Sequence, residues 1–137
     1  MLQRRENPVP KQRQLLIVED EVMVAWAHVL AVRELGWQVC ATVTTEQAAV
    51  EAALHFKPDA ILMDYRLGQG GDGLLAARRI RESTDTPIIF CTAYGNSVAA
   101  QLLSLQRTQL VRKPVQPFSL QKALQAVVEV ETDGREQ

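Results

Sequence analysis

The feature that most restricts the fold is a regular alternation that begins at Leu15, in which short apolar runs are each followed by a longer mixed segment. The runs fall at residues 15–18, 38–42, 60–63, 87–91 and 109–111. Each is short and mostly apolar, as strands covered on both faces must be. Helical patterns follow at about residues 22–35, 45–56, 72–82, 96–106 and 117–130. Strand followed by helix, five times over, is the signature of a parallel sheet.

Several boundaries have local causes. Gly36 suits a left-handed cap after the first helix, Thr44 or Thr45 can cap the second, and Pro58 ends it. Five βα units are too few to close a barrel, and strand-to-strand crossovers are right-handed. The expected fold is therefore an open α/β sheet of five parallel strands with five flanking helices, in the flavodoxin-like order 2-1-3-4-5.

The 137 residues, 47% hydrophobic and 23% charged, suffice for one core. Residues 1–13 are polar and carry Pro8 and Pro10, so we expect a flexible arm there, a domain over 14–130 and a polar tail over 131–137. A net charge of -1 supplies no general field for nucleic acid or an anionic membrane. No apolar run reaches the ~18 residues of a membrane span, and the first residues lack the apolar region of a secretory signal. A cytoplasmic location is expected, with Cys40 and Cys91 as free thiols in strand-like runs.

In an open α/β sheet, ligands bind beyond the carboxyl ends of the strands where the strand order reverses, here between strands one and three. Strand one ends in Glu19-Asp20-Glu21 and strand three in Asp64, so the carboxylates that border apolar strand ends converge on that crevice. Like charges so close disfavour joint ionisation unless a cation neutralises them. Hard oxygen ligands without His or Cys suit Mg²⁺. Taken alone, Asp20 and Glu21 are better explained as helix-capping acids, while for Asp64 the alternative of a strand-ending loop residue is weaker. Thr92 and Lys113 read singly as a turn residue and a surface charge. Their joint position at four strand ends favours a site for phosphoryl transfer to a carboxylate, offset by cations and a hydroxyl donor.

The blocks LLIVEDE, ILMDYRL, PIIFCTA and LVRKP, in this order and spacing, resemble the receiver domains of response regulators over about residues 14–130. The resemblance implies that Asp64 accepts a phosphoryl group from a sensor histidine kinase or a histidine phosphotransfer protein. It implies a Mg²⁺ site, with Mn²⁺ able to substitute, formed by Glu19 acting through water, Asp20, Asp64 and the backbone carbonyl of Arg66. Thr92, with Ala93 beside it, and Lys113 would bind the phosphoryl group and read its state, and Lys113–Pro114 would be a cis peptide.

Three departures stand out against that resemblance. Leu110 occupies the position where many relatives carry a switching Tyr or Phe. The segment YRLGQGGDG is glycine-rich and longer by a residue, which suggests a more mobile loop. Arg66 and Tyr94 flank the route of hydrolytic water, so we expect them to lengthen the phosphoryl lifetime.

No helix-turn-helix or enzymatic module fits after the last helix. Two situations are open, a stand-alone regulator or a receiver cut from a longer chain. Met1 and the polar ending favour the former, which would switch an unknown protein target, without nucleic acid or membrane contact and without enzymatic activity beyond its own phosphorylation and dephosphorylation. The readout surface expected is helix 4, strand 5 and helix 5, with Val98, Leu102, Leu105, Leu120, Leu124 and Val127, most of them core. A homodimer through that face and a monomer are both compatible with the resemblance. Two other classes fit less well. A haloacid dehalogenase-type phosphatase needs D-x-D where this chain has E-D-E, and a flavodoxin-like cofactor binder needs a glycine-rich loop after strand one.

Overall fold

The computed structural model describes residues 12–93 and 96–136, apart from the side chains of residues 96, 97 and 130–136. The five strands are β1 (Gln14–Val18), β2 (Gln38–Val43), β3 (Ala60–Asp64), β4 (Ile88–Thr92) and β5 (Thr108–Arg112). The helices between and after them are α1 (Val22–Glu34), α2 (Glu46–Phe56), α3 (Gly73–Arg81), α4 (Asn96–Leu103) and α5 (Pro117–Glu136). All neighbouring strands are parallel, in the order β2-β1-β3-β4-β5, as the alternation predicts.

Because side chains on a strand alternate between faces, the apolar runs feed two cores at once. Leu16, Val18, Ile61, Met63, Ile88 and Phe90 join α2, α3 and α4 through residues such as Ala49, Ala53, Ile80 and Leu102. Leu15, Ile17, Leu62, Ile89 and Val111 join α1 and α5 through Val29, Val32, Leu120, Leu124 and Val127. The apolar residues expected at the α4–β5–α5 readout face are thus mainly core: Leu102, Leu120, Leu124 and Val127 are buried, and Val98 and Leu105 pack against the core that holds Leu102.

The helix ends follow local chemistry. Gly36 has φ +92°, and α1 closes with Trp37 N–H donating to the Val32 carbonyl and Gly36 N–H to that of Arg33, the paired bonds of a Schellman cap. Of the two threonines, Thr45 caps α2, its hydroxyl accepting from Ala48 N–H at 3.1 Å. Asp72 caps α3 by accepting from Leu74 N–H at 2.7 Å. The left-handed Lys57 ends α2 just before Pro58.

Two ends differ from expectation. α4 stops at Leu103 rather than near 106, because the Ser104 hydroxyl donates back to the Gln101 carbonyl at 2.6 Å and Arg107 turns to φ +58°. α5 continues to Glu136, across most of the expected polar tail. No proline interrupts it, and Gly134 costs a helix only about 1 kcal/mol.

Of the expected N-terminal arm, residues 1–11 lie outside the described residues. At its end the Arg13 carbonyl already accepts from Gln38 N–H at 2.9 Å, which ties the chain to β2. Cys40 and Cys91 are free thiols, on strands with β1 and β3 between them. Among the described residues no helix is long and apolar enough to cross a membrane.

Candidate phosphoacceptor and metal site

The strand ladder delivers the site residues to one edge. Just beyond the ends of β1, β3 and β5, Glu19 N–H donates to the Val43 carbonyl, Tyr65 N–H to that of Cys91, and Lys113 N–H to that of Thr92. Side chains that immediately follow such bonds have their backbones fixed by the sheet, which suits a site that must hold its geometry. Asp64 and Thr92 end their own strands and are 5% and 1% exposed.

Oxygen atoms of Glu19, Asp20 and Asp64 all lie within 4.8 Å of one another. Glu19 and Asp64 are buried, and Asp20 is more open. The Lys113 Nζ stands 3.0 Å from Asp64 Oδ1. Asp20, Asp64 and Lys113, with Glu21, Thr92, Ala93 and the first residues of the β3–α3 loop, surround a cavity of about 310 Å³, and Glu19 lies behind its wall. The Lys113–Pro114 bond is cis.

Capping does not account for the acids of β1. Glu21 stands at the N-cap of α1 without a side-chain cap bond; its N–H instead donates to Glu19 Oε2 at 3.1 Å. The second oxygen, Glu19 Oε1, is buried with no hydrogen-bond partner. Burial pushes the Glu19 carboxyl from an ordinary value near 4.5 up to about 7, with the Asp64 charge adding and the Glu21 N–H and Lys113 opposing. Burial alone would push Lys113 down, but its hydrogen bond to Asp64 and the charges of Asp64 and Glu19 outweigh it and raise the ammonium above its ordinary value.

An orphaned buried carboxylate oxygen and three hard oxygen donors within 4.8 Å of one another fit a divalent cation. Glu19, Asp20 and Asp64 would hold it, and the described residues show no His or Cys in the cluster.

The glycine-rich loop is tied down rather than open. Arg66 and Asp72 form an isolated antiparallel bridge, Leu67 N–H donates to the Gly71 carbonyl, and the Leu67 side chain is fully buried. A 3-10 turn at Gly68–Gly70 carries the chain past Asp20. A Cβ on Gly68, at φ +59°, would stand 2.7 Å from Asp20 Oδ2, so only glycine lets the backbone pass there without displacing that carboxylate. This role of Gly68 escaped sequence reasoning, whose only signal was the glycine cluster itself.

The remaining expected residues sit as follows. Arg66 is exposed, its guanidinium 5.6 Å from the Tyr65 ring centre. Leu110 lies opposite Phe90 on β4, half-buried against the core shared with α2, α3 and α4. Tyr94 lies outside the described residues. His28 was not anticipated: it is buried on α1, with Nε2 lacking a hydrogen-bond partner.

Comparison with known proteins agrees with this geometry. Residues 15–125 match the profile of the response regulator receiver domain. The chain is 32% identical over 120 residues to the phyllosphere-induced regulator PhyR of Methylorubrum extorquens, which covers 85% of this chain and 43% of that one. It is 29% identical over 115 residues to the transcriptional regulatory protein PdtaR of Mycobacterium tuberculosis, covering 84% and 55% respectively. The chain thus spans about half the length of these curated relatives. Among solved structures, the receiver domain of Erythrobacter litoralis PhyR superimposes with a TM-score of 0.73 at 32% identity, covering 85% of this chain and 90% of that one. The anti-anti-sigma factor PhyR from Bartonella quintana gives 0.77 at 28% identity, covering 93% and 51%.

Proposed function

This chain belongs to the family of response regulator receiver domains of two-component systems, and we propose that within it Asp64 is the phosphoacceptor of a Mg²⁺-dependent reaction. The phosphodonor in this reading is a phosphohistidine on a sensor kinase or a phosphotransfer protein. An Asp64 oxygen attacks phosphorus, the Oδ–P bond forms, and the P–N bond to the donor imidazole breaks in line.

The observation that carries this reading is the 3.0 Å contact between Lys113 Nζ and a buried Asp64 carboxylate that lies within 4.8 Å of carboxylate oxygens of Glu19 and Asp20. The lysine holds its proton and offsets charge on the transferring oxygens, and the Thr92 hydroxyl, on the next strand, donates to one of them. Asp20, Asp64 and the Arg66 carbonyl, with Glu19 acting through water, would hold Mg²⁺, which would neutralise negative charge as the phosphoryl group transfers. Ala93, which lines the pocket, leaves room beside Thr92.

The chain acts in this reading as a cytoplasmic signalling domain whose only catalysis is its own phosphorylation and dephosphorylation. Its output is a change of protein partner, a reading supported by a relative described as an anti-anti-sigma factor. The exposed Arg66 at the pocket mouth slows hydrolysis of the phosphoryl group, so Arg66→Asn is expected to shorten its lifetime.

The test is incubation with Mg²⁺ and a small-molecule phosphodonor, followed by a phosphate-retarding gel. Wild type is expected to shift, Asp64→Asn to remain unshifted, and Lys113→Ala to label without the downstream partner change. Absence of a shift on wild type, or an equal shift on Asp64→Asn, overturns the reading.

A further inference from the structure

We propose that the exposed stripe of α1 takes a second copy of this chain, with the two helices antiparallel across a two-fold axis. The helix VMVAWAHVLAVRE is apolar on every side, although only one side can face the sheet. Val29 and Val32 fill the core, whereas Val22 is 77% exposed, Met23 78%, Trp26 55% and Leu30 49%. Four of the nine exposed large hydrophobic side chains among the described residues therefore lie on this one helix; α4 and α5 together carry two, Leu103 and Phe118.

Met23, Trp26, Leu30 and Arg33 follow at spacings of three, four and three, the seam by which helices pack at a shallow crossing angle. The exposed part of this stripe amounts to roughly 500 Å² per copy. Two copies would bury about 1,000 Å² in total, the lower end of specific interfaces, which implies a weak dimer. The stripe borders a groove of about 570 Å³ against the edge strand β2, lined in part by Trp26, Val29, Arg33 and Val39, where side chains of a second copy can lodge.

Charge selects both the partner and the orientation. The seam runs from the exposed acidic end at Asp20 and Glu21 to the exposed Arg33 in the last turn. In an antiparallel pair Trp26 meets the second copy's Leu30, and each Arg33 crosses Met23 towards the other copy's acidic end. The helix dipoles also oppose one another. A parallel pair would instead set acids against acids and Arg33 against Arg33. Glu34 lies about 100° round the helix from Arg33, off the seam. The surface is self-complementary, so association closes at two. Glu21 also lines the acid pocket, so the second copy would stand at its mouth and restrict access to Asp64.

The test is sedimentation velocity on the full chain from about 5 to 500 µM. The expected result is a reversible rise from monomer to dimer with a midpoint of roughly 100 µM. Trp26→Lys and Leu30→Glu should stay monomeric throughout, with unchanged far-ultraviolet circular dichroism and melting. Arg33→Glu should weaken the dimer by about tenfold, and Phe118→Lys should leave it intact. A constant monomer mass overturns the proposal, as does a dimer that survives Trp26→Lys but is lost in Phe118→Lys. So does shielding of Trp26 from acrylamide in dilute monomer, which would mean that residues 1–11 cover the stripe.

Discussion

Lys113 Nζ reaches Asp64 Oδ1 at 3.0 Å across the intervening strand β4, joining a side chain that is 32% exposed to one that is 6% exposed. The lysine is thus the cationic wall of a pocket whose floor is anionic. Lys113→Ala would leave Asp64 and Glu19 facing one another without it. We expect Glu19 to titrate above about 7, followed by carboxyl NMR shifts. We also expect a loss of about 1–2 kcal/mol at pH 8 in chelator, discounted for the exposure of the lysine. Millimolar Mg²⁺ should recover most of it.

Glu19 sets a pH dependence of its own. Its folded value of about 7 lies above the ordinary 4.5, so the native state binds more protons than the unfolded chain between these limits. Its contribution is fully present below 4.5 and is lost as pH rises through 7, by up to about 3 kcal/mol. Divalent cation inverts this, because the carboxylate must be ionised to bind it. The rise in melting temperature on adding Mg²⁺ should therefore be larger at pH 8 than at pH 5.5, and Glu19→Gln should flatten the metal-free profile.

Local chemistry explains why most elements could be read from the chain. Runs apolar at every position, such as Leu15 to Val18, must be covered on both faces, and Gly36 and Thr45 mark helix ends by means that act within a few residues. The acids and Lys113 were readable because the sheet carries strand ends to one edge. What escaped depends on distant contacts. Leu105 fits the period of α4, yet a serine hydroxyl bond and the left-handed Arg107 end the helix first. Gly68 matters only because Asp20, 48 positions earlier, lies against it. The exposed stripe of α1 was unreadable because an apolar helix does not declare which of its sides the sheet will cover.

Gly68 should affect metal binding out of proportion to stability. Gly68→Ala puts a Cβ 2.7 Å from Asp20 Oδ2 at φ +59°, so both the backbone and the carboxylate must shift. The expected cost in stability is about 1–2 kcal/mol, together with a five- to tenfold loss of Mg²⁺ affinity by calorimetry. Gly36→Ala is the control. Its φ of +92° strains the backbone similarly, but nothing lies within 4 Å of the added atom, so Mg²⁺ affinity should be unchanged.

His28 should oppose Glu19 on the acid side. Burial lowers its pKa below the ordinary 6.5, the Lys113 charge adds to this, and Asp64 only partly offsets them. The native state therefore binds fewer protons than the unfolded chain, and stability is full above 6.5 and lost as pH falls through the folded value. Glu19 and His28 act with opposite sign in overlapping windows, so the shape of one pH profile cannot separate them. The difference between wild type and His28→Leu can. At pH 7.5 that substitution removes a buried nitrogen with no partner and should be neutral or stabilising by up to about 1 kcal/mol. Its advantage should grow as pH falls from 6.5 to 5, measured by denaturant unfolding at each pH. An advantage that shrinks over that interval would mean that the imidazole takes up its proton without cost, against the burial argued for it.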